Sequence, residues 1–226
     1  MKLLINILIM TGIMLSACSQ SNPKMNEPTA PNPVFPSMEE AVNKGKSDFV
    51  ELLRQKAFAQ ADLNPEALEK ATLGTPLETF QVDFDKLMDS DSMVTWAQIS
   101  GDKEQSAIPL MEGGRTLSTV EVAQNEKGWS VVGLNNNNFI RGIRAVQQAL
   151  KGSNYSKIAL YEVPNIRAKI YVATTPEGDV YFADYPGRYS LGDPIPANDL
   201  FRIIKGDALE FNKKFGDQLK KQKLVD

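Results

Sequence analysis

The residue types of this sequence restrict the catalytic chemistry it can carry. None of its 226 residues is a histidine, and only Cys18 is a cysteine. This composition excludes Ser-His-Asp and Cys-His catalysis, histidine-based zinc and iron sites, thiol redox chemistry and disulfides within the mature chain. The phosphate-binding spacings GxGxxG and GxxxxGK are also missing. We therefore expect no cofactor and no metal site.

Four aspartates fall within nine residues, in the stretch DFDKLMDSD: Asp83, Asp85, Asp89 and Asp91. Carboxylate oxygens bind hard cations such as calcium. The spacing is not that of an EF-hand, because the sixth loop position has no glycine and the twelfth has no glutamate. The pattern favours a solvated strand end and turn.

The stretch Ser100 to Lys103 matches S-x-x-K, a serine–lysine pattern of penicillin-binding enzymes. In those enzymes S-D-N and K-T-G elements complete the site, and both are missing here. Gly101 and Asp102 predict a turn between two strands instead. Catalysis by a carboxylate pair needs no histidine and remains open as an alternative, although 28 acidic residues give no basis for choosing a pair.

The segment 181–196 combines aromatic residues with two glycines and three prolines. Tyrosine and arginine are enriched at binding hot spots because they offer a large contact area with a polar group. We take Tyr181, Tyr185, Arg188 and Tyr189 as candidate binding residues for a peptide or glycan. The alternative is a loop whose tyrosines cover the edge of a sheet.

The N-terminus has the pattern of a secretory signal. Lys2 precedes thirteen mostly apolar residues, 3–15, a run too short to span a bilayer as a helix. The run ends in Leu15, Ser16, Ala17 and Cys18, which resembles the lipobox of bacterial lipoproteins. That resemblance implies cleavage before Cys18, a diacylglycerol on its sulfur and, in many members, an acyl chain such as palmitate on its amine. Several acyl chains anchor a protein stably where one does not.

The lipobox resemblance implies a lipid-anchored protein of the cell envelope. Ser19 follows the cysteine, where an aspartate would signal inner-membrane retention, so we expect the outer membrane in a Gram-negative organism and otherwise the plasma membrane. The mature chain, 18–226, has a formal net charge of −4. It has no overall basic surface for nucleic acid or for anionic headgroups, so the predicted membrane partner is reached through the lipid.

The sequence divides into four segments: a signal peptide (1–17), a lipidated cysteine with a proline-rich tether (18–36), and two α+β halves (37–134 and 139–226). The tether holds five of the thirteen prolines, a composition that cannot bury enough apolar surface to fold. Each half begins with helices and continues into strands.

Capping residues predict most helix starts. Ser37 is an N-cap candidate for a first helix broken near Gly45, and Asn64 precedes a proline that starts a second. Residues 77–84 alternate as a half-buried strand, 93–99 predict another strand, and Asn125 to Gly128 predict a hairpin turn. Further helices are predicted from about 139 to 152 and from about 197.

The predicted fold class is α+β, with helices packed on antiparallel meander sheets. The sequence leaves open whether the halves are two similar helix-plus-sheet units with one shared core. Their element order resembles tandem cystatin-like or propeptide-like modules, which implies an inhibitor of an envelope enzyme. We expect a non-catalytic binding or accessory module whose partner is an envelope protein or glycan. The alternatives are a carboxylate-dependent hydrolase of envelope polysaccharide and the inhibitor-like module.

Overall fold

The computed structural model describes residues 33–57, 63–90 and 94–222, with side chains up to residue 218. The described residues form α-helices, short 3-10 helices and a sheet. The helices are α1 (Met38–Arg54), α2 (Pro65–Lys70), α3 (Phe84–Asp89), α4 (Asn137–Ala149) and α5 (Ala197–Gln222). The strands are β1 (Thr72–Leu73), β2 (Leu77–Val82), β3 (Ser100–Glu112), β4 (Arg115–Asn125), β5 (Gly128–Leu134), β6 (Lys157–Val163), β7 (Ala168–Thr175) and β8 (Gly178–Asp184). The α+β prediction is confirmed.

One sheet unites the strands of both predicted halves. Its order is β5-β4-β3-β2-β6-β7-β8, with the short β1 also paired to β3. Every neighbouring pair is antiparallel except β2 and β6, which run parallel where the two halves meet. Residues 37–134 and 139–226 therefore share one sheet. The division of these residues into two domains stays a prediction.

The helices cover the two faces of this sheet unequally. On one face α1 packs its buried residues, Phe49 among them, over β3 to β5, and α5 packs Leu200, Ile204 and Ala208 over β6 to β8. On the other face α4 lies across the middle, where Ile143 and its neighbours contact side chains from both halves. The core is therefore divided into three clusters, one beneath each long helix.

The predicted capping residues act as expected. The Ser37 hydroxyl accepts the backbone N–H of Glu40 at 3.2 Å, and the Asn64 side chain accepts that of Glu66 at 2.9 Å. The predicted hairpin turn joins β4 to β5, with the pair Asn125 and Gly128 closing it. Local hydrogen-bonding chemistry fixes these features, which is why the sequence predicts them.

The predictions for Gly45 and for residues 93–99 are wrong. Gly45 does not break α1, because it is a buried site of close packing: a Cβ there would lie 2.7 Å from Cγ1 of Val120. The stretch 93–99, predicted as a strand, instead carries a 3-10 helix, Trp96–Ile99, with a capping box between Thr95 and Gln98. The first residue of that stretch, Met93, lies outside the described residues.

The alternation within β2 also gives an incomplete picture of burial. A half-buried strand would bury Phe80 and Val82 and expose the residues that alternate with them. Leu77 and Thr79 are among those alternate residues, yet they are only 0% and 1% exposed. β2 is the central strand and is covered on both faces, so polarity alternation does not report its environment.

Candidate functional site

A groove of about 370 Å³ lies between the loop that follows β8 and the middle of α5, from Asp207 to Phe215. Its walls combine apolar and charged side chains: Ile166, Tyr185, Pro186, Gly187, Arg188, Asp207, Glu210, Phe211, Lys214 and Phe215. The loop is closed by two backbone hydrogen bonds, from Tyr185 N to Tyr189 O at 3.0 Å and from Tyr189 N to Tyr185 O at 2.9 Å. Gly187, at φ +78°, allows the tight reversal between them.

The carboxylate of Asp207 joins the loop to α5. It accepts hydrogen bonds from the Tyr185 hydroxyl at 2.8 Å and from Nε and Nη2 of Arg188 at 3.2 and 2.8 Å. Burial and the hydrogen bond to Asp207 raise the pKa of Tyr185 to about 12, so its hydroxyl remains a donor at neutral pH. The same carboxylate raises the pKa of Arg188. This wall of the groove is therefore fixed in place.

Aromatic rings of α5 form another part of the lining. The rings of Phe211 and Phe215 lie 5.0 Å apart, and Phe84 from α3 meets Phe211 edge-on at 5.9 Å. Phe215 is 42% exposed. Lys214 donates to Glu210 at 2.6 Å and lowers the pKa of that carboxyl. An exposed ring beside charged groups suits the binding of a partner that has both apolar and polar parts.

The four tyrosine and arginine residues singled out from the sequence do not converge on one site. Tyr185 and Arg188 line the groove. Tyr189 is partly buried against the core and pairs with Tyr185 through its backbone. Tyr181 lies in a separate hollow of about 330 Å³, beside Ile195. The structure thus brings two of the four together.

The groove residues contributed by α5 were missed by the sequence analysis. Asp207, Phe211 and Phe215 are distant in sequence from the loop, and their contacts depend on how α5 crosses the sheet. One pattern in the sequence could have identified the aromatic residues among them. Apolar residues recur at alternating spacings of three and four along α5, at Phe201, Ile204, Ala208, Phe211 and Phe215. The first three of these are buried and the last is exposed, so the apolar stripe continues beyond the core.

The acidic cluster has a structural role at the start of α3. The Asp83 side chain accepts the backbone N–H groups of Asp85 and Lys86, both at 3.1 Å, as the N-cap of the helix. Asp89 ends the helix, and Asp91 lies outside the described residues. Within the described ranges no three histidine, cysteine or acidic residues gather to hold a metal ion.

The S-x-x-K stretch begins β3 instead of forming the predicted turn. The Ser100 hydroxyl donates to the Trp96 carbonyl at 2.6 Å. Nζ of Lys103 lies 3.6 Å from a carboxylate oxygen of Glu78, which also pairs with Lys157. In this arrangement the lysine neutralises a carboxylate.

The most deeply buried acidic group in the described part of the chain is Glu121 on β4, at 6% exposure. Burial raises the pKa of its carboxyl, and hydrogen bonds with Asn136 partly oppose that shift. Its Oε1 has no hydrogen-bond partner among the described residues. Gly133 packs against this side chain, so the group is enclosed and away from the groove.

No match to this chain was found among protein-family models, curated proteins or solved structures. The predicted lipobox, Leu15, Ser16, Ala17 and Cys18, lies outside the described residues. In the part of the chain that the structure describes, no helix combines the length and the apolar character needed to cross a membrane.

Proposed function

We propose that this chain is a lipid-anchored protein of the cell envelope, and that its folded part is a non-catalytic binding or accessory module. The proposed anchor is Cys18, supported by the signal pattern and the tether that follows it. The proposed binding surface is the groove between the β8–α5 loop and α5. It would hold an envelope component above the membrane.

One observation carries the binding proposal: an exposed aromatic ring lies beside a wall that is already rigid. Asp207 holds Tyr185 and Arg188 in place before any partner arrives. A preorganised site loses less conformational entropy on binding than a flexible one. The exposed ring of Phe215 then offers apolar area that a partner can cover.

The carboxylates of the groove favour binding over hydrolysis. A glycosidase places two carboxyl groups on opposite sides of the scissile bond, and one of them has a raised pKa to act as the acid. Asp207 and Glu210 lie three residues apart on one helix. Lys214 lowers the pKa of Glu210, and Asp207 already accepts three hydrogen bonds. Neither has the environment of a general acid.

Photocrosslinking in living cells tests the binding surface. Benzoyl-phenylalanine would replace Phe215 in the groove or, as the matched control, Leu209, which is 46% exposed on the same helix but does not line the groove. We expect a discrete adduct from position 215 that is absent from position 209. Equal or absent adducts at both positions would argue against the groove as a binding surface.

Cell fractionation tests the anchor independently. We expect the wild-type chain in the membrane fraction and the Cys18→Ser variant shifted to uncleaved precursor, with no acylated product. If Cys18→Ser leaves processing and membrane retention unchanged, the anchor is wrong, whatever the crosslinking result.

A further inference from the structure

The charged side chains that line the groove are paired with each other. Arg188 and Asp207 form a two-point ion pair, in which Nη2 lies 2.8 Å from one carboxylate oxygen and Nε lies 3.2 Å from the other. Nζ of Lys214 donates to Oε1 of Glu210 at 2.6 Å. The lining therefore holds two positive and two negative groups, a net charge of zero.

This pairing favours a ligand without net charge. An acid that bound Arg188 would displace Asp207, whose side chain is only 16% exposed and also accepts the Tyr185 hydroxyl. Leaving a largely buried carboxylate without its partner is strongly unfavourable. The exposed pair of Glu210 and Lys214 contributes equal and opposite charges, so it selects neither an acid nor a base.

The ion pairs leave hydrogen-bonding groups of both kinds at the groove. Within the described part of the chain, Nη1 of Arg188 donates to no group, Oε2 of Glu210 accepts no hydrogen bond, and Nζ of Lys214 has a single acceptor. A guanidinium has five N–H donors and an ammonium group has three, so both cations retain donors. A hydroxyl group both donates and accepts. A ligand with several hydroxyl groups therefore fits this set without displacing either pair.

The same groove offers aromatic area. Phe211 and Phe215 lie 5.0 Å apart on α5, and Phe215 is 42% exposed. A sugar has hydroxyl groups around its ring and C–H groups on its faces, and those C–H groups pack against the negative face of an aromatic ring. The volume of about 370 Å³ lies at the small end of the range for small-molecule sites, about 300–1,000 Å³, which suits a short segment of a sugar chain.

The groove lacks what the common modes of peptide binding require. A strand adds to free backbone groups, but those of Tyr185 and Tyr189 are already paired with each other in the loop. An amphipathic helix needs a continuous apolar groove, whereas four charged side chains line this one. Proline-rich peptides dock on aromatic grooves, but the Tyr185 hydroxyl, the aromatic donor of this lining, is committed to Asp207.

We propose that the groove binds a segment of a neutral oligosaccharide, with a sugar ring packed on Phe215. The hydroxyl groups of the sugar hydrogen-bond to Arg188, Glu210 and Lys214. The inference deepens the proposed function and rests on it, because it names the class of envelope component that the groove holds. Because no ion pair forms between the ligand and the chain, binding should change little with salt.

Saturation-transfer NMR tests the proposal on the full chain, held in nanodiscs of phosphatidylcholine so that no sugar detergent competes. The probes are neutral tetrasaccharides of glucose, of mannose and of N-acetylglucosamine, with decaproline and hexaglutamate as the peptide alternatives. Phe215→Leu removes the ring but keeps an apolar side chain, and Phe215→Tyr restores a ring. Leu209→Ala is the control, because Leu209 is 46% exposed on the same helix and does not line the groove.

We expect saturation transfer from the chain to at least one tetrasaccharide, with little change between low and high salt. The Kd should rise about two- to twelvefold in Phe215→Leu, through the loss of the ring contact, and stay unchanged in Phe215→Tyr and Leu209→Ala. No transfer to any tetrasaccharide, or an equal Kd in Phe215→Leu, overturns the glycan inference.

Crosslinking from position 215 separates this inference from the proposed function. If that position gives a discrete protein adduct, and decaproline or hexaglutamate binds in place of the sugars, the binding surface stands and the glycan inference is overturned. If no adduct forms and no probe binds, both are overturned.

Discussion

Gly142 of α4 is the position where the smallest change of side chain should have the clearest effect on stability. A Cβ at this position would lie 2.5 Å from Cε1 and Cζ of Tyr171 and would also meet the hydroxyl oxygen of that residue. Tyr171 is 1% exposed on β7. Its ring is enclosed by the cluster beneath α4 and cannot swing into solvent to relieve the contact.

The magnitude follows from two opposing effects of Gly142→Ala. Inserting a methyl group into a packed core costs about 1–3 kcal/mol. Replacing glycine by alanine inside a helix gains about 1 kcal/mol. Because all three contacts with Tyr171 lie at 2.5 Å or closer, the cost falls in the upper part of that range, about 2–3 kcal/mol. We therefore expect a net loss of about 1–2 kcal/mol, or a decrease in Tm of about 2–8 °C for a chain of this size.

Gly206→Ala is the matched control. Gly206 lies within α5, and a Cβ there meets nothing within 4 Å. The helix propensity then acts alone, so this variant should raise Tm by about 2–4 °C. Thermal unfolding followed by circular dichroism measures both variants in the same buffer.

A double-mutant cycle with Tyr171→Leu tests the cause. Leucine lacks the three atoms that the new Cβ of Gly142→Ala would meet, so in this background the alanine should cost nothing or stabilise the chain. If Gly142→Ala is as stable as the wild type, or if its cost persists in the Tyr171→Leu background, the close approach of α4 to β7 is refuted.

Three further changes test other contacts. Burial raises the pKa of Glu121 above its ordinary value of 4.5, so the folded chain binds this proton more tightly than the unfolded chain does. Stability therefore falls as pH rises from 4.5 through the raised pKa of the folded chain. Glu121→Gln should stabilise the chain at pH 7 and lose this advantage below pH 4.5. Asp207→Asn should destabilise the chain by about 1–2 kcal/mol through the loss of the charged hydrogen bond to the buried Tyr185, and should lower the pKa of Tyr185 from about 12 in a spectrophotometric titration. Ser37→Ala removes the N-cap of α1 and should cost about 1 kcal/mol in denaturant unfolding.

The controls for these three changes are built into the same measurements. A gain from Glu121→Gln that is equal at pH 4 and pH 7 would contradict the titration argument. An unchanged tyrosine titration in Asp207→Asn would mean that burial alone sets the pKa of Tyr185. Ser37→Thr keeps the accepting oxygen and should retain most of the stability that the alanine variant loses.

The parts of the fold that depend on neighbours in sequence were predictable, and those that depend on packing were not. Ser37 and Asn64 accept N–H groups two or three residues away, so their capping roles can be read from local spacing. Gly45 resembles a helix breaker in sequence, but its small size serves a contact with Val120 on a strand 75 residues later. No local pattern reports that contact.

The candidate site, likewise, was predictable from the sequence only in part. The loop was identified from its composition, and Tyr185 and Arg188 do line the groove. The partner of both, Asp207, is one of 28 acidic residues and has no distinguishing local pattern. Its role exists only because α5 brings it back across the end of β8.

The mass of the mature N-terminus is the most direct test of the central claim that this is a lipid-anchored envelope protein. The chain would be extracted from membranes with detergent and analysed intact and after proteolysis by mass spectrometry. We expect an N-terminal fragment that begins at Cys18 and carries a diacylglycerol with or without a further acyl chain. An unmodified Cys18, or a mature chain that retains residues 1–17, would contradict it.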